Sequence, residues 1–380
     1  MATPPSPARG LEGVIALESR ICRIDGERGE LVYAGYDIRD LARNTGFEEV
    51  VHLLWHGELP DRARLADLKG RLAAHRPIPP MVIEIMEAAP VDADPMSVLR
   101  TTISALAHFD PERDDPSPEA NQRKAIRLVA RTPGLVAAHD RIRRGRAPVA
   151  PRSDLSTAAD FLYQLSGRVP GEAAERTFDA CLVLHAEHGL NASTFAARVI
   201  GATLADLYAA VTGAIGALAG PLHGGANIEV MAMLEEIRAS GLDPAEWVRA
   251  RLARKERVMG FGHRVYKTLD PRAAILRDML ERLSDERGSR TWFDLSTRIL
   301  ETVVAEKGLQ PNVDFYSASV YAMLEIPRDL FTPIFAISRM AGWTAHLLEQ
   351  WADNRLIRPR EAYVGPSDRT VPPIADRRPG

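Results

Sequence analysis

Two cysteines, Cys22 and Cys181, stand in 380 residues, too few for a disulfide framework and without the CxxC spacing of a zinc or redox motif. A reducing cytosol suits such a chain, so a cytoplasmic protein is expected. An excess of one charge is missing too: 48 basic against 51 acidic residues leave a net charge of −3, which excludes the basic field of a dedicated nucleic-acid binder. No apolar run reaches the ~20 residues of a membrane span. The longest, residues 207–222, is broken by Gly213, Gly216, Gly220 and Pro221 and reads as a buried helix. Residues 1–10 hold Pro4, Pro5 and Pro7 but no apolar core for a secretory signal; they read as a flexible leader.

What is present is ordinary globular material, 46% hydrophobic and 26% charged, enough for two or three domains or one large core with a smaller companion. Residues 21–24 and 30–33 flank the turn-rich Asp25-Gly26-Glu27-Arg28-Gly29, predicting a small hairpin. Beyond it strand signals nearly vanish. Thr45 and Glu48 read as a capping box ahead of Phe47, Val50, Val51 and Leu54. Helical stripes recur at Leu65, Leu68, Leu72, at Leu99, Ile103, Leu106, and at Ile334, Ile337, Ala341, Ala345, Leu348. The chain is therefore expected to be mostly α. Breaks fall at 110–118 and 145–153, and the proline-rich 366–380 reads as a flexible tail. One basic run, Arg141, Arg143, Arg144, Arg146 and Arg152, could attract phosphate but reads first as a solvated helix end.

Several residues stand out for chemistry. The stripe Phe178, Cys181, Leu182 continues into His185, with His188 three residues further on the same side. Each histidine alone suits a buried, hydrogen-bonded role; with Glu187 between them, the pair also permits a weaker metal reading, although an HExxH helix needs different spacing. His223 lies among Gly220, Pro221, Gly224 and Gly225, where a regular helix cannot form and packing gives little reason for an imidazole. A helix restarting near Ala226 would leave free N–H groups beside it, favouring a neutral ring. His263, between Gly262 and Arg264 and following Lys255 and Arg257, belongs to a glycine-rich, cationic loop suited to anions. Asp314 opens a helix, where a capping role is the ordinary one. Arg339 points along an apolar face and so needs an anionic partner or ligand.

These segments together resemble the citrate synthase family: LHAEHGLNASTFAARV at 184–199, GPLHGGAN at 220–227, MGFGHRVYKTLDPRA at 259–273, PNVDFYSA at 311–318 and the AISRMAGWTAHLLEQ helix. The likeness starts at GLEGVIALES, continues through GELVYAGYDI and reaches LIRPR, leaving out only the termini. It implies a mostly α, two-domain helical fold with a small N-terminal β element. Residues 1–223 and 320–380 would form the large domain, 224–319 the small one, with the cleft between them. It implies an acyltransferase that condenses acetyl-CoA with oxaloacetate and hydrolyses citryl-CoA to citrate and CoA.

By motif match, Asp314 would be the base, His223 the donor to the thioester oxygen and His263 the acid at the ketone. His188, Arg272, Arg339 and Arg358 would bind oxaloacetate, because guanidinium forks suit carboxylates. Arg358 would come from the second subunit of a homodimer. The backbone of Val258, Met259, Gly260, Phe261 and Gly262 would take the adenine of CoA, with Lys255, Arg264 and Lys267 near its phosphates. CoA would act as a co-substrate, with no tightly bound cofactor, no metal, no nucleic acid and no membrane partner. Three positions depart from the family: Glu187 replaces the usual Asp, Gly189 a frequent Glu, and Ala318 a usual Gly. A 2-methylcitrate synthase using propionyl-CoA is the near alternative, since one methylene discriminates by only ~1–3 kcal/mol. A zinc hydrolase with Glu187 as base and a silent CoA- or dicarboxylate-binding protein are the distant ones.

Overall fold

A computed structural model describes residues 8–263 and 265–377. The expected hairpin is present: β1 (Cys22–Asp25) runs antiparallel to β2 (Glu30–Tyr33), with Cys22 opposite Tyr33 and Asp25 opposite Glu30. A two-residue strand, β3 (Tyr36–Asp37), extends the sheet beside β2; so short a strand leaves no alternation to read in the sequence.

The rest is helical. The first half carries α1 (Ile38–Asn44), α2 (Phe47–His56), α3 (Arg62–His75), α4 (Pro80–Glu87), α5 (Pro95–Leu106), α6 (Pro118–Arg143), α7 (Thr157–Ser166) and α8 (Glu172–His185). The second carries α9 (Ala192–Gly201), α10 (Leu207–Leu218), α11 (Ala226–Ser240), α12 (Pro244–Ala253), α13 (Pro271–Glu286), α14 (Thr291–Lys307), α15 (Val313–Met323) and α16 (Phe331–Ala352). Local chemistry sets many of the starts. Asp37, Asp61, Asp94, Ser117, Asn191, Asp206, Asp270 and Asn312 each accept a main-chain N–H of the helix they precede, satisfying donors that have no partner inside the helix. Helix α16 forms the centre of the core: Ile334, Ile337, Ala341 and Ala345 are buried, and α2, α5, α6, α8, α9 and α10 pack around it.

The capping box is shifted by one residue from its expected place. Gly46 is the N-cap of α2, and Glu49 accepts its N–H at 2.8 Å. Thr45 instead closes the preceding helix, donating to Leu41 O at 2.7 Å. Glu48 is buried, where it accepts the Thr157 N–H at 2.8 Å. Beside it, the Asp179 carboxylate accepts the Phe47 N–H. Burial, with Glu48 close by, pushes the Asp179 pKa up to about 7. A carboxyl whose folded-state pKa is raised holds its proton more tightly in the native state, so its contribution favours folding at low pH and is lost as pH rises from about 4 through about 7. The thermal midpoint is expected to drop across that window, and Asp179→Asn to flatten the drop; melting curves from pH 4 to 8 measure both.

At and beyond the end of α6, three members of the basic run form ion pairs. Arg143 and Arg144 share Asp140, Arg143 also reaches Asp329, and Arg152 pairs with Asp154. Residues 8–10 and 366–377 are exposed; the remainder of both termini lies outside the described residues.

Candidate active site

His223 sits in the turn between α10 and α11, which restarts at Ala226 as the sequence indicates. Its Nε2 accepts the Ser193 N–H at 3.3 Å and lies 3.0 Å from Ser193 Oγ. A main-chain amide can only donate, so Nε2 is unprotonated and the proton of the neutral ring is on Nδ1. Ser193 is held in turn by Asn191 Oδ1 and by the Trp343 indole N–H. Burial, reinforced by the positive charge of Arg339, lowers the His223 pKa to about 4.

His263 has the opposite tautomer for the same reason. Its Nδ1 accepts the Val265 and Tyr266 amides at 3.0 and 3.2 Å, leaving Nε2–H as donor. Burial and Arg272 lower its pKa as well. The ring lies edge-on to His188, with centroids 5.7 Å apart, and 4.8 Å from the Tyr266 ring. Tyr266 also bonds His188 Nε2 at 3.1 Å.

Asp314 occupies the first turn of α15, after the Asn312 cap. Among the described residues its carboxylate has no hydrogen-bond partner. Burial pushes its pKa up to about 6 against the pull of Arg272 and Arg339. The candidate CoA loop is tied to the same helix start: Asn312 N–H donates to Gly260 O at 2.9 Å, Asn312 Nδ2 to Gly262 O at 3.0 Å, and Gly262 N–H to Gln310 O at 3.1 Å. Gly260 has φ +85°, and a Cβ there would meet the Phe315 side chain at 2.8 Å, so both backbone and space demand glycine. Val258 is buried, Met259 and Phe261 are half-buried, and Lys255 and Lys267 are exposed. Arg264 lies outside the described residues.

The two cleft arginines are held differently. Asp270 grips Arg272 through Nε at 3.0 Å and Nη2 at 2.8 Å, and also accepts the Val313 N–H at 3.1 Å, fastening α13 to α15. Burial opposes the Arg272 charge, but Asp270 outweighs it and raises the pKa. Arg339 is 1% exposed. Its Nε donates to His185 O at 2.8 Å, while neither Nη finds an acceptor among the described residues. Such a buried guanidinium is built to receive an anion. Arg339 acts electrostatically on His223, His188 and Asp314; Arg272 acts on His263, His188 and Asp314. Asp314 thus feels both arginines, His223 the charge of Arg339 and His263 that of Arg272, although these groups come from segments up to 91 residues apart (Asp314 less His223).

His185 and His188 do not share a helix face. Helix α8 ends at His185, whose ring turns back to bond Cys181 O at 2.8 Å. The chain then bends, so His188 meets Tyr266 while Glu187 enters the core. Glu187 accepts from His346 Nε2 at 3.2 Å, and His346 Nδ1 accepts from Arg198 Nε at 3.1 Å. Glu187 is therefore a buried countercharge for Arg339, and no three His, Cys, Asp or Glu side chains among the described residues are placed to hold a metal ion. Arg358 does not join the other candidates in its own chain. It is exposed in a groove of about 1450 Å³ lined also by Val14, Ile15, Arg20, Arg198 and Glu349.

The chain is similar to known proteins over nearly its whole length. The model of the citrate synthase C-terminal domain matches residues 10–360. The chain belongs to the citrate synthase family. Members of this family are acyltransferases that form a carbon–carbon bond and hydrolyse the citryl thioester. A citrate synthase of Haloferax volcanii is 52% identical over 373 residues, 97% of this chain and 98% of its own. A 2-methylcitrate synthase of Mycobacterium tuberculosis is 44% identical over 97% of this chain and 93% of its own. Among solved structures, citrate synthase from Pyrobaculum aerophilum has a TM-score of 0.91 at 39% identity, covering 97% of this chain and 95% of its own. That of Thermoplasma acidophilum, a ternary complex with carboxymethyl coenzyme A and oxaloacetate, scores 0.89 at 33% identity over 97% and 99% of the two chains.

Two of the three departures read in the sequence, Glu187 and Gly189, have local explanations, and nothing in the structure explains Ala318. Glu187 fits because Gly342 is opposite it: a Cβ there would overlap both Glu187 Oε2 and Ala186 O. Gly189 has φ +61°, and a Cβ would sit 3.3 Å from Ile24 Cδ1, so this loop resists any larger residue; Tyr266 supplies the hold on His188. Ala318 is buried one turn beyond Asp314. Motif reading passed over Tyr266, Asp270, Ser193 and His346. Asp270 had a signal, since Asp-Pro-Arg places a cap and an arginine together; the others become visible only through contacts distant in sequence.

Proposed function

We propose that this protein condenses acetyl-CoA with oxaloacetate and hydrolyses citryl-CoA to citrate and free CoA. The observation that carries this reading is the pair of histidines with opposite protonated nitrogens, each set by main-chain N–H donors, one facing the charge of Arg339 and the other that of Arg272, the two buried arginines that also act on Asp314, whose carboxylate has no hydrogen-bond partner among the described residues.

Each group then has a defined step. Asp314 takes a proton from the acetyl methyl group while His223 Nδ1–H donates to the thioester oxygen, stabilising the enol or enolate as it develops. The new carbon nucleophile attacks the ketone carbon of oxaloacetate, and His263 Nε2–H gives its proton to the ketone oxygen, which becomes the hydroxyl of citryl-CoA. Water then returns a proton to His263 as its oxygen adds to the thioester carbonyl, and the carbon–sulfur bond breaks with the proton held by Asp314 passing to the sulfur, so that CoA leaves as the thiol and citrate as the carboxylate. Arg272 and Arg339 hold the substrate carboxylates, with His188 alongside. Burial lowers the pKa of both histidines, that of His223 to about 4, and raises that of Asp314 to about 6, so ionisation of Asp314 governs the acid side of the profile. Activity is expected to fall as pH drops through about 6; kcat/KM against pH checks this, and a break below pH 5 counts against Asp314 as the base.

CoA is read as a co-substrate on the 258–262 loop, with Lys255, Arg264 and Lys267 about its phosphates and no cofactor tightly bound. A homodimer is part of the same reading, with Arg358 completing the partner's site. Support comes from its exposure in the groove formed by both ends of the chain. Residues 224–319 are read as the small domain, supported by the packing of α11, α13 and α14 on α15 and of α12 on α14. The cytoplasm is the proposed location; two free thiols suit it. The test is thiol release by purified protein with oxaloacetate and either acetyl-CoA or propionyl-CoA at equal concentration. Faster release from propionyl-CoA would favour 2-methylcitrate synthesis, and no release from either would remove the proposal.

A further inference from the structure

The N-terminal hairpin touches two of the segments that carry the candidate site. On one side, Tyr33 Oη donates to Glu187 O at 2.7 Å and accepts the Glu187 N–H at 3.2 Å, beside the loop that carries His188. On the other, the turn between β1 and β2 lies against residues 265–269, the segment joining His263 to Arg272. Lys267 N–H donates to Gly26 O at 2.9 Å. A Cβ on Gly26 would overlap the Val265 carbonyl oxygen and come within 2.9 Å of its carbon; one on Gly29, where φ is +66°, would meet Leu269 O and Thr268 Cγ2 at 2.9 Å. Arg39 holds Gly29 O at 3.0 Å from below.

We propose that this turn, through Gly26 and Gly29, positions the substrate loop: it holds 265–269 in the place where His263 keeps its donor tautomer and Arg272 faces oxaloacetate. None of its residues reaches the reacting atoms. The connection is short: Gly26 abuts the Val265 carbonyl, and the Val265 N–H is one of the two donors that keep His263 Nδ1 unprotonated. Asp25 gives the turn its shape, accepting Glu27 N–H at 3.1 Å and Arg28 N–H at 3.0 Å. The two glycines are required by close approach of another backbone, and that backbone belongs to the active loop. The turn therefore works as a clasp from the His188 side of the cleft to the His263 side.

This inference rests on the proposed reaction, and the tests keep the two apart. In the parent protein, thiol release from acetyl-CoA and oxaloacetate must be present; its absence strikes the reaction and not the clasp. The clasp is tested with full-length Gly26→Ala, whose methyl group must displace Val265, and with Asp25→Ala, which loosens the turn and adds no clash. Gly26→Ala is expected to raise KM for oxaloacetate by tenfold or more, with a smaller change in KM for acetyl-CoA. Asp25→Ala should move the same way by a few-fold. Amide hydrogen exchange of residues 265–269 in the presence of oxaloacetate should rise in both, while the rest of the cleft keeps its protection. Unchanged oxaloacetate KM and unchanged exchange in this segment, in the two variants alike, would overturn the proposal. So would exchange raised evenly over the whole chain in both, the pattern of general destabilisation. If Gly26→Ala does not fold, Asp25→Ala decides between these outcomes.

Discussion

Asp314→Asn is expected to slow thiol release by about 10²- to 10⁴-fold, the usual contribution of a positioned general base, while oxaloacetate binding stays close to that of the parent. The amide keeps the shape of the side chain and the Asn312 cap of α15, so the loss measures proton removal. The same substitution should make the protein more stable at neutral pH. With the folded-state pKa raised from 3.8 to about 6, the native state holds the Asp314 proton more tightly than the unfolded chain. Stability from this group is highest below pH 4, falls as pH rises through 6, and at pH 7 the ionised side chain costs on the order of 3 kcal/mol. A base that must be charged in a buried place is a functional strain on the fold, and removing it exchanges activity for stability. Single-turnover rates, isothermal titration with oxaloacetate and melting curves at pH 7 measure the three effects. A variant that loses activity and oxaloacetate binding together, with a lower melting point, would count against this account.

Arg339→Met carries the second large effect, on binding rather than proton transfer. The two Nη groups have no acceptor among the described residues and can take a carboxylate; hydrogen bonds to charged groups contribute about 1.5–3 kcal/mol each. Losing two of them should weaken oxaloacetate about 10²- to 10⁴-fold. Glu187→Gln should weaken it less, because Glu187 has no direct bond to Arg339 and acts through its charge and through His346. If Glu187 works by supporting Arg339, the double variant will bind no worse than Arg339→Met alone. A double-mutant cycle by titration gives the coupling; strictly additive losses would show that Glu187 acts elsewhere.

Arg339 and His188 show how far motif reading carries. Arg339 could be recognised as a buried cation from its place on the apolar stripe of α16, and its burial follows the pattern. His188 was expected on one face with His185, yet the helix between them stops. Helix ends depend on which side chains capture the last carbonyls, and here the Tyr33 hydroxyl, 154 residues from Glu187 in sequence, captures the chain beyond α8. The capping box of α2 slipped by one residue for a similar reason: Glu48 was claimed by a buried amide of α7.

Helical periodicity, the Asp and Asn caps, the hairpin turn and the chemical type of each reacting group are local properties, set by spacing along a few turns of chain, and they could be read directly from the order of residues. The tautomer of His263 is set within its own loop by the amides two and three residues on, whereas the protonation of His223, the countercharge of Glu187, the grip of Asp270 on both α13 and α15, and the clasp of Gly26 on Val265 arise between segments far apart in the chain. They depend on which backbone donor lies within about 3 Å of which side chain. Hydrogen bonds and burial energies are set by distances of that order, and only the packing of the helices around α16 brings those atoms within them.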